Sequence, residues 1–248
     1  MGQIMKIIIE YWPMYLRGAG VTLYLSILGT IFGFMIGLLA GIIRTIPVPE
    51  GGWKRILLRA ANAILSVYIE IFRGTPMIVQ AMVIYYGSAQ AGFEMDRMAA
   101  GILIVSINTG AYMAEIIRGG IVSIDTGQFE AAQALGMNPV QTMAKVVLPQ
   151  AIRNILPAIG NEFVINIKDT SVLNVISISE LYFQTSTVAG IHFSFFGPFF
   201  IACILYFIMT FTVTRILRMT EKRLDGPKNY TLANEVRKGK EVQYGEGN

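Results

Sequence analysis

Four stretches of this 248-residue chain are almost free of ionisable side chains. Residues 18–43, 74–93 and 98–114 contain no Asp, Glu, Lys, Arg or His, and between Leu181 and Thr214 the one such group is His192. A helix that crosses the hydrocarbon of a bilayer needs roughly 20 mostly apolar residues. A soluble core can hide one segment of that kind, but not four or five. Only 15% of the residues are charged, against about 25% in an average soluble domain. The pattern predicts an all-α integral membrane protein of about five spans, because a helix satisfies its own backbone donors and acceptors in lipid.

Residues 1–17 mix Ile7, Ile8, Ile9, Trp12 and Tyr15 with Lys6, Glu10 and Arg17. That mixture reads as an external interfacial helix rather than a removable leader. The spans are expected at about 20–43, 57–86, 98–117, 156–178 and 198–217, with residues 180–197 as an outer loop. The membrane domain thus covers 18–220, and a basic, polar tail covers 221–248. In the first span Gly29, Gly33, Gly37 and Gly41 recur every fourth residue. They share one face and permit close approach of another backbone, either as ordinary intramembrane packing or as a sliding interface.

Lys and Arg set the orientation. Four lie in the loop after span one and eight from Arg215 onward, against one after span two and none after span four. Positive loops stay in the cytoplasm, so the N-terminus is expected outside and the C-terminus inside. The net charge of +4 then belongs to a membrane or partner edge and not to nucleic acid.

Between spans three and four lies a polar-to-mixed segment. Glu130, Ala131, Ala132, Ala134 and Leu135 favour a helix. Gly136 suits its left-handed end, and Asn138 with Pro139 suits the cap and first turn of the next helix. The spacing predicts a helix-turn-helix lying under the membrane. Its small Ala side chains fit it to seat in a groove of another protein, or else it is a surface helix without a partner.

This segment resembles the EAA loop of ABC importer membrane subunits. Glu130-Ala131-Ala132 is followed by three residues and Gly136, then by nine residues and Val146-Val147-Leu148-Pro149, with Val where the family pattern has Ile. Further stretches resemble the polar amino acid branch of that family: FRGTP from Phe72, AYMAEIIRGGI from Ala111, LPQAIRNILPAIGNEF from Leu148 and KDTSV from Lys168. The similarity spans roughly residues 10–220. It implies a type I ABC importer fold whose coupling loop, about residues 125–157, docks on ATPases through Glu130, Ala131, Ala132, Ala134, Leu135 and Gly136.

The resemblance further implies a permease of the bacterial inner membrane that moves polar amino acids: glutamine, glutamate, arginine, histidine or cystine. Its partners would be a cytoplasmic ABC ATPase dimer, a second permease chain (identical or sister), an extracytoplasmic substrate-binding protein and membrane lipid. The chain lacks a Gly-x-x-x-x-Gly-Lys-[Ser/Thr] phosphate loop, so ATP and Mg are expected on the partner ATPase, with no cofactor, metal ligand set or catalytic residue in this chain. A secondary transporter or channel without an ATPase is the alternative, and it leaves the EAA-like loop unexplained.

Ionisable groups at mid-span each cost at least ~2.5 kcal/mol on the insertion scale and call for a reason. Glu70 with Arg73 and Glu115 with Arg118 have the i, i+3 spacing of helical ion pairs. Lys168, Asp169 and Thr170 lie deep in span four. A zwitterionic substrate needs acceptors for its ammonium and donors for its carboxylate. Glu70, Gln80, Tyr112, Glu115, Glu162, Asn166, Lys168, Asp169 and Thr170 are therefore the candidate substrate-binding residues.

Overall fold

The computed structural model describes residues 2–224, so most of the expected tail lies outside the described residues. The described residues form α1 (Gly2–Ile43), α2 (Trp53–Gly74), α3 (Met77–Gln90), α4 (Arg97–Val122), α5 (Thr126–Ala134), α6 (Pro139–Thr142), α7 (Leu148–Asp169), α8 (Leu181–His192) and α9 (Phe196–Leu224). A π-helical stretch, Met143–Val147, leads into α7, and a 3-10 stretch, Thr170–Ile176, leaves it. Helices α1, α4 and α9 are each long and apolar enough to cross a membrane.

Helices α1 and α4 form the most extensive helix pair, and the glycine row is the reason. A Cβ added at Gly33 would lie 2.7 Å from Cβ of Thr109, and one at Gly37 would lie 2.8 Å from the backbone N of Ala114. Gly29 meets Val105 and Gly41 meets Ile117 in the same way. Small residues at every fourth position thus let two helices touch backbone to side chain over about three turns. Beside that row, Thr22, Ser26 and Thr30 form a second, buried polar row on α1.

Four apolar clusters complete the bundle. Leu25, Met77, Ile104 and Leu173 join α1, α3, α4 and the 3-10 stretch. Met113, Ile117, Val147 and Ile155 join α4 to the start of α7. Ile7, Tyr15, Leu181 and Ile201 join α1, α8 and α9, and Ala40, Ile69 and Ala114 join α1, α2 and α4.

Three expectations change. Residues 1–17 are not a separate helix: α1 runs unbroken through Pro13 for 42 residues. At 1.5 Å per residue that is ~63 Å, about twice the hydrocarbon thickness. The stretch expected as one second span is two helices. Thr75 and Pro76 adopt extended backbone between α2 and α3, because a proline removes a helical donor and pushes the preceding residue out of the helical region. Residues 180–197 are not a loop, since they contain α8. Its first turn is capped by Glu180, which is fully buried and accepts from the backbone N–H groups of Tyr182 and Phe183, both at 2.7 Å. The Tyr206 hydroxyl of α9 donates to the same carboxylate at 3.1 Å.

Candidate functional site

The polar residues of the spans separate into those the protein already satisfies and those that face open space. Gln80 belongs to the first group. Its Nε2 donates to the carbonyls of Phe72 (3.0 Å) and Thr75 (2.9 Å), and its Oε1 accepts from Nδ2 of Asn108 at 2.9 Å. These bonds satisfy carbonyls that the break after α2 leaves without a helical donor. Asn166 is also occupied: Nδ2 donates to Thr30 Oγ1 at 2.8 Å and Oδ1 accepts from Thr109 Oγ1 at 3.0 Å, pinning α7 to α1 and α4. Thr170 is fully buried and donates to the Ile167 carbonyl at 3.1 Å.

Glu115 accepts from Arg44, just past the end of α1, and from Arg118 at 3.4 Å. The i, i+3 pair expected with Arg118 is present, and Arg44 joins it from 71 residues away. The pair expected between Glu70 and Arg73 is not formed. Glu70 is exposed, and the Arg73 guanidinium instead sits 5.5 Å from the ring centroid of Tyr112 on α4, a cation–π arrangement that removes it from Glu70.

Five of the sequence candidates remain with accessible polar groups: half-buried Tyr112 and Glu162, and exposed Glu70, Lys168 and Asp169. Glu162 and Asp169 are seven residues apart on α7, which places them on one face two turns apart. Glu162 feels the charges of both Asp169 and Arg73. Glu162 and Asp169 on α7, with Lys168 next to Asp169 in the chain, thus share a neighbourhood with the Arg73–Tyr112 pair of α2 and α4, and α4 packs against both α2 and α7. Arg73 is the member that sequence reasoning set aside, because its i, i+3 neighbour offered a simpler partner. Such an arrangement offers acceptors to an ammonium and donors to a carboxylate.

Beyond the span region, the α5–α6 hairpin is built by its local sequence. Asp125 caps α5 through the Gly127 N–H at 2.7 Å. Gly136 ends that helix at φ 75°, a conformation that costs a side-chain-bearing residue. Asn138 and Gln141 form a reciprocal capping box with bonds of 3.0 and 2.9 Å, and Pro139 opens α6. Ala132 is buried against the bundle while Glu130, Ala131 and Ala134 face outward. At the tip, Leu135 is 82% exposed and Val140 76%.

Residues 33–226 match the family described as "Binding-protein-dependent transport system inner membrane component". The glutamine transport system permease protein GlnP of Escherichia coli (strain K12) is 40% identical over 214 residues, covering 86% of this chain and 93% of that protein. The arginine transport system permease protein ArtQ of Bacillus subtilis (strain 168) is 32% identical over 213 residues, covering 86% and 93%. Among solved structures, one described as an amino acid ABC transporter with histidines superposes with a TM-score of 0.75 at 36% identity, covering 87% of this chain and 96% of that one.

Proposed function

Because this chain belongs to the family of binding-protein-dependent transport system inner membrane components, we propose that it is the permease subunit of an ATP-binding cassette importer for polar amino acids. The relatives named for glutamine and arginine support that substrate class. The observation that carries the coupling is the α5–α6 hairpin: a short, rigidly capped element with two bare apolar side chains at its tip. Two apolar side chains left bare at the tip of a polar hairpin suit a groove on a partner. The partner is a cytoplasmic ATPase, one per permease chain, with ATP and Mg held there. A second permease chain and an extracytoplasmic binding protein complete the assembly.

The excess of Lys and Arg around residues 44–59 and beyond Arg215 supports a cytoplasmic hairpin and C-terminus and an external N-terminus. In that orientation about five crossings are made by α1, the broken α2–α3 unit, α4, α7 and α9.

The substrate meets Tyr112, Glu162, Lys168 and Asp169, with Arg73 added. Glu162 and Asp169 receive the ammonium, and Arg73 and Lys168 the carboxylate. Gln80, Asn166 and Thr170 hold the helices around that site, and Glu115 ties the inner ends of α1 and α4. When the hairpin is driven by its ATPase, α4 and α7, which flank it, carry the motion to the site.

Reconstitution with an ATPase and a binding protein tests this reading. Uptake of glutamine or another polar amino acid into proteoliposomes should require both partners and ATP. Uptake that persists without the ATPase would instead make the chain a secondary transporter.

A further inference from the structure

A groove with a cavity of about 300 Å³ runs between α7 and α9. Its walls include Val164 and Lys168 from α7 and Phe207, Phe211, Arg215 and Arg218 from α9. The two helices are antiparallel, and their register is fixed where Gly160 meets Leu217: a Cβ at Gly160 would lie 2.9 Å from a Leu217 methyl. Lys168 is eight residues beyond Gly160, about 12 Å along the axis. The groove therefore descends from the level of the Lys168–Asp169 pair to the end of α9 that carries Arg215 and Arg218.

Its charge is one-sided. Lys168, Arg215 and Arg218 all line it, and none forms an ion pair among the described residues. The Arg215 guanidinium lies 4.7 Å from the ring centroid of Phe211, another lining residue, which holds it against the groove wall. Three unpaired cations beside low-dielectric aromatic walls focus a positive potential. Arginines in particular present a planar fork suited to a carboxylate. Lys168 lines the groove and is the chain neighbour of Asp169, so the groove's upper end lies beside that carboxylate.

We propose that this groove is the inward continuation of the substrate site, that it receives the amino acid's carboxylate, and that its three cations bar cationic side chains. The inference rests on the importer reading and narrows it: the transported amino acids carry neutral or acidic side chains, and arginine, lysine and ornithine are rejected by like-charge repulsion. Glu162 and Asp169 answer the single α-ammonium and leave no carboxylate in the groove to accept a second cation.

The test uses the purified permease–ATPase complex without the binding protein, whose own selectivity would mask that of the permease. Titration calorimetry with glutamine, glutamate and arginine should show the first two binding at least tenfold more tightly than arginine. In the Arg215→Gln/Arg218→Gln variant that ratio should fall at least fivefold, and Arg218→Gln alone, which perturbs folding least, should move it the same way. Arginine bound as tightly as glutamine by the unmodified complex overturns the proposal. So does an unchanged ratio in the variants, and loss of co-purified anionic phospholipid alongside it would make the groove a lipid site. Failure of all three amino acids to bind, with no ATP-dependent uptake, would instead remove the importer reading beneath it.

Discussion

The carboxylate of Glu180 and the hydroxyl of Tyr206 lie 3.1 Å apart and fasten the start of α8 to the middle of α9. Glu180 has no exposed surface, and both of its oxygens are engaged. Glu180→Ala strips three donors of their acceptor: two backbone N–H groups and one phenol. Loss of a cap costs about 0.5–2 kcal/mol, and a stranded buried donor about 1–3 kcal/mol. The expected outcome is a clear fall in thermal stability of the purified complex, with Glu180→Gln, which keeps one acceptor, falling less. Equal melting of both variants and the parent would show that this junction does not hold α8 in place.

Gly37 of the glycine row and Gly119 of α4 make a contrasting pair. At Gly37 an added side chain drives into Met113 and the backbone of Ala114, whereas at Gly119 a Cβ meets nothing within 4 Å. Gly37→Val should destabilise by about 1–3 kcal/mol through overpacking. Gly119→Ala should be neutral or stabilising by up to about 1 kcal/mol, since glycine is a poor helix former. Denaturant or thermal titration of the two variants side by side checks both signs.

Arg44 and Arg118 both reach Glu115, whose side chain is 25% exposed. Arg44→Ala and Glu115→Ala should therefore be strongly non-additive. A double-mutant cycle should give a coupling of about 1 kcal/mol or more, above the 0.2–1 kcal/mol of exposed pairs. A cycle that closes to zero would place Glu115 back among the groups available to substrate.

Much of this was legible from local chemistry. Gly136, Asn138 and Pro139 wrote the hairpin's turn and cap within four residues, and the fourfold glycine spacing announced a close helix contact that proved to be with α4. The roles of Gln80 and Asn166 were not legible. Their partners lie 28 residues away at Asn108 and 136 away at Thr30, and a polar residue in an apolar span looks the same whether it faces substrate or a neighbouring helix. Helix α8 was missed because its aromatic, Ser- and Thr-rich composition lacks a clear apolar period. The one available signal was Glu180 standing just before Leu181, a carboxylate placed to cap. Arg73 was misassigned because spacing favours the nearest opposite charge, whereas the Tyr112 ring arrives only through tertiary packing.

Within the site, Asp169 provides the most direct test. It is exposed, shares a face with Glu162 and has no partner hydrogen bond among the described residues. Asp169→Asn keeps the shape and removes the charge. A hydrogen bond to a charged group is worth about 1.5–3 kcal/mol, and 1.4 kcal/mol is tenfold in affinity. Uptake should drop about tenfold or more while the complex assembles and melts as before. Normal uptake by the variant would take Asp169 out of the substrate's path.

In the proposed assembly the hairpin tip is where work enters the protein. Leu135 and Val140 are exposed and make no tertiary contact that holds the bundle, so Leu135→Ser and Val140→Ser should alter stability by no more than about 0.5 kcal/mol. If the tip seats in an ATPase groove, each change removes a buried apolar side chain from that interface, a loss of about 1.5–3 kcal/mol. The ATPase should then dissociate more readily and transport should fall with it. Glu130→Lys acts on the same surface by charge, and Gly136→Val by strain, because a β-branched residue resists φ 75°. All four variants should reduce uptake per ATP hydrolysed, in detergent-free proteoliposomes, in proportion to the loss of ATPase co-purification. If the serine variants transport and retain the ATPase as the parent does, the exposed tip is not the contact, and the drive must enter the bundle elsewhere.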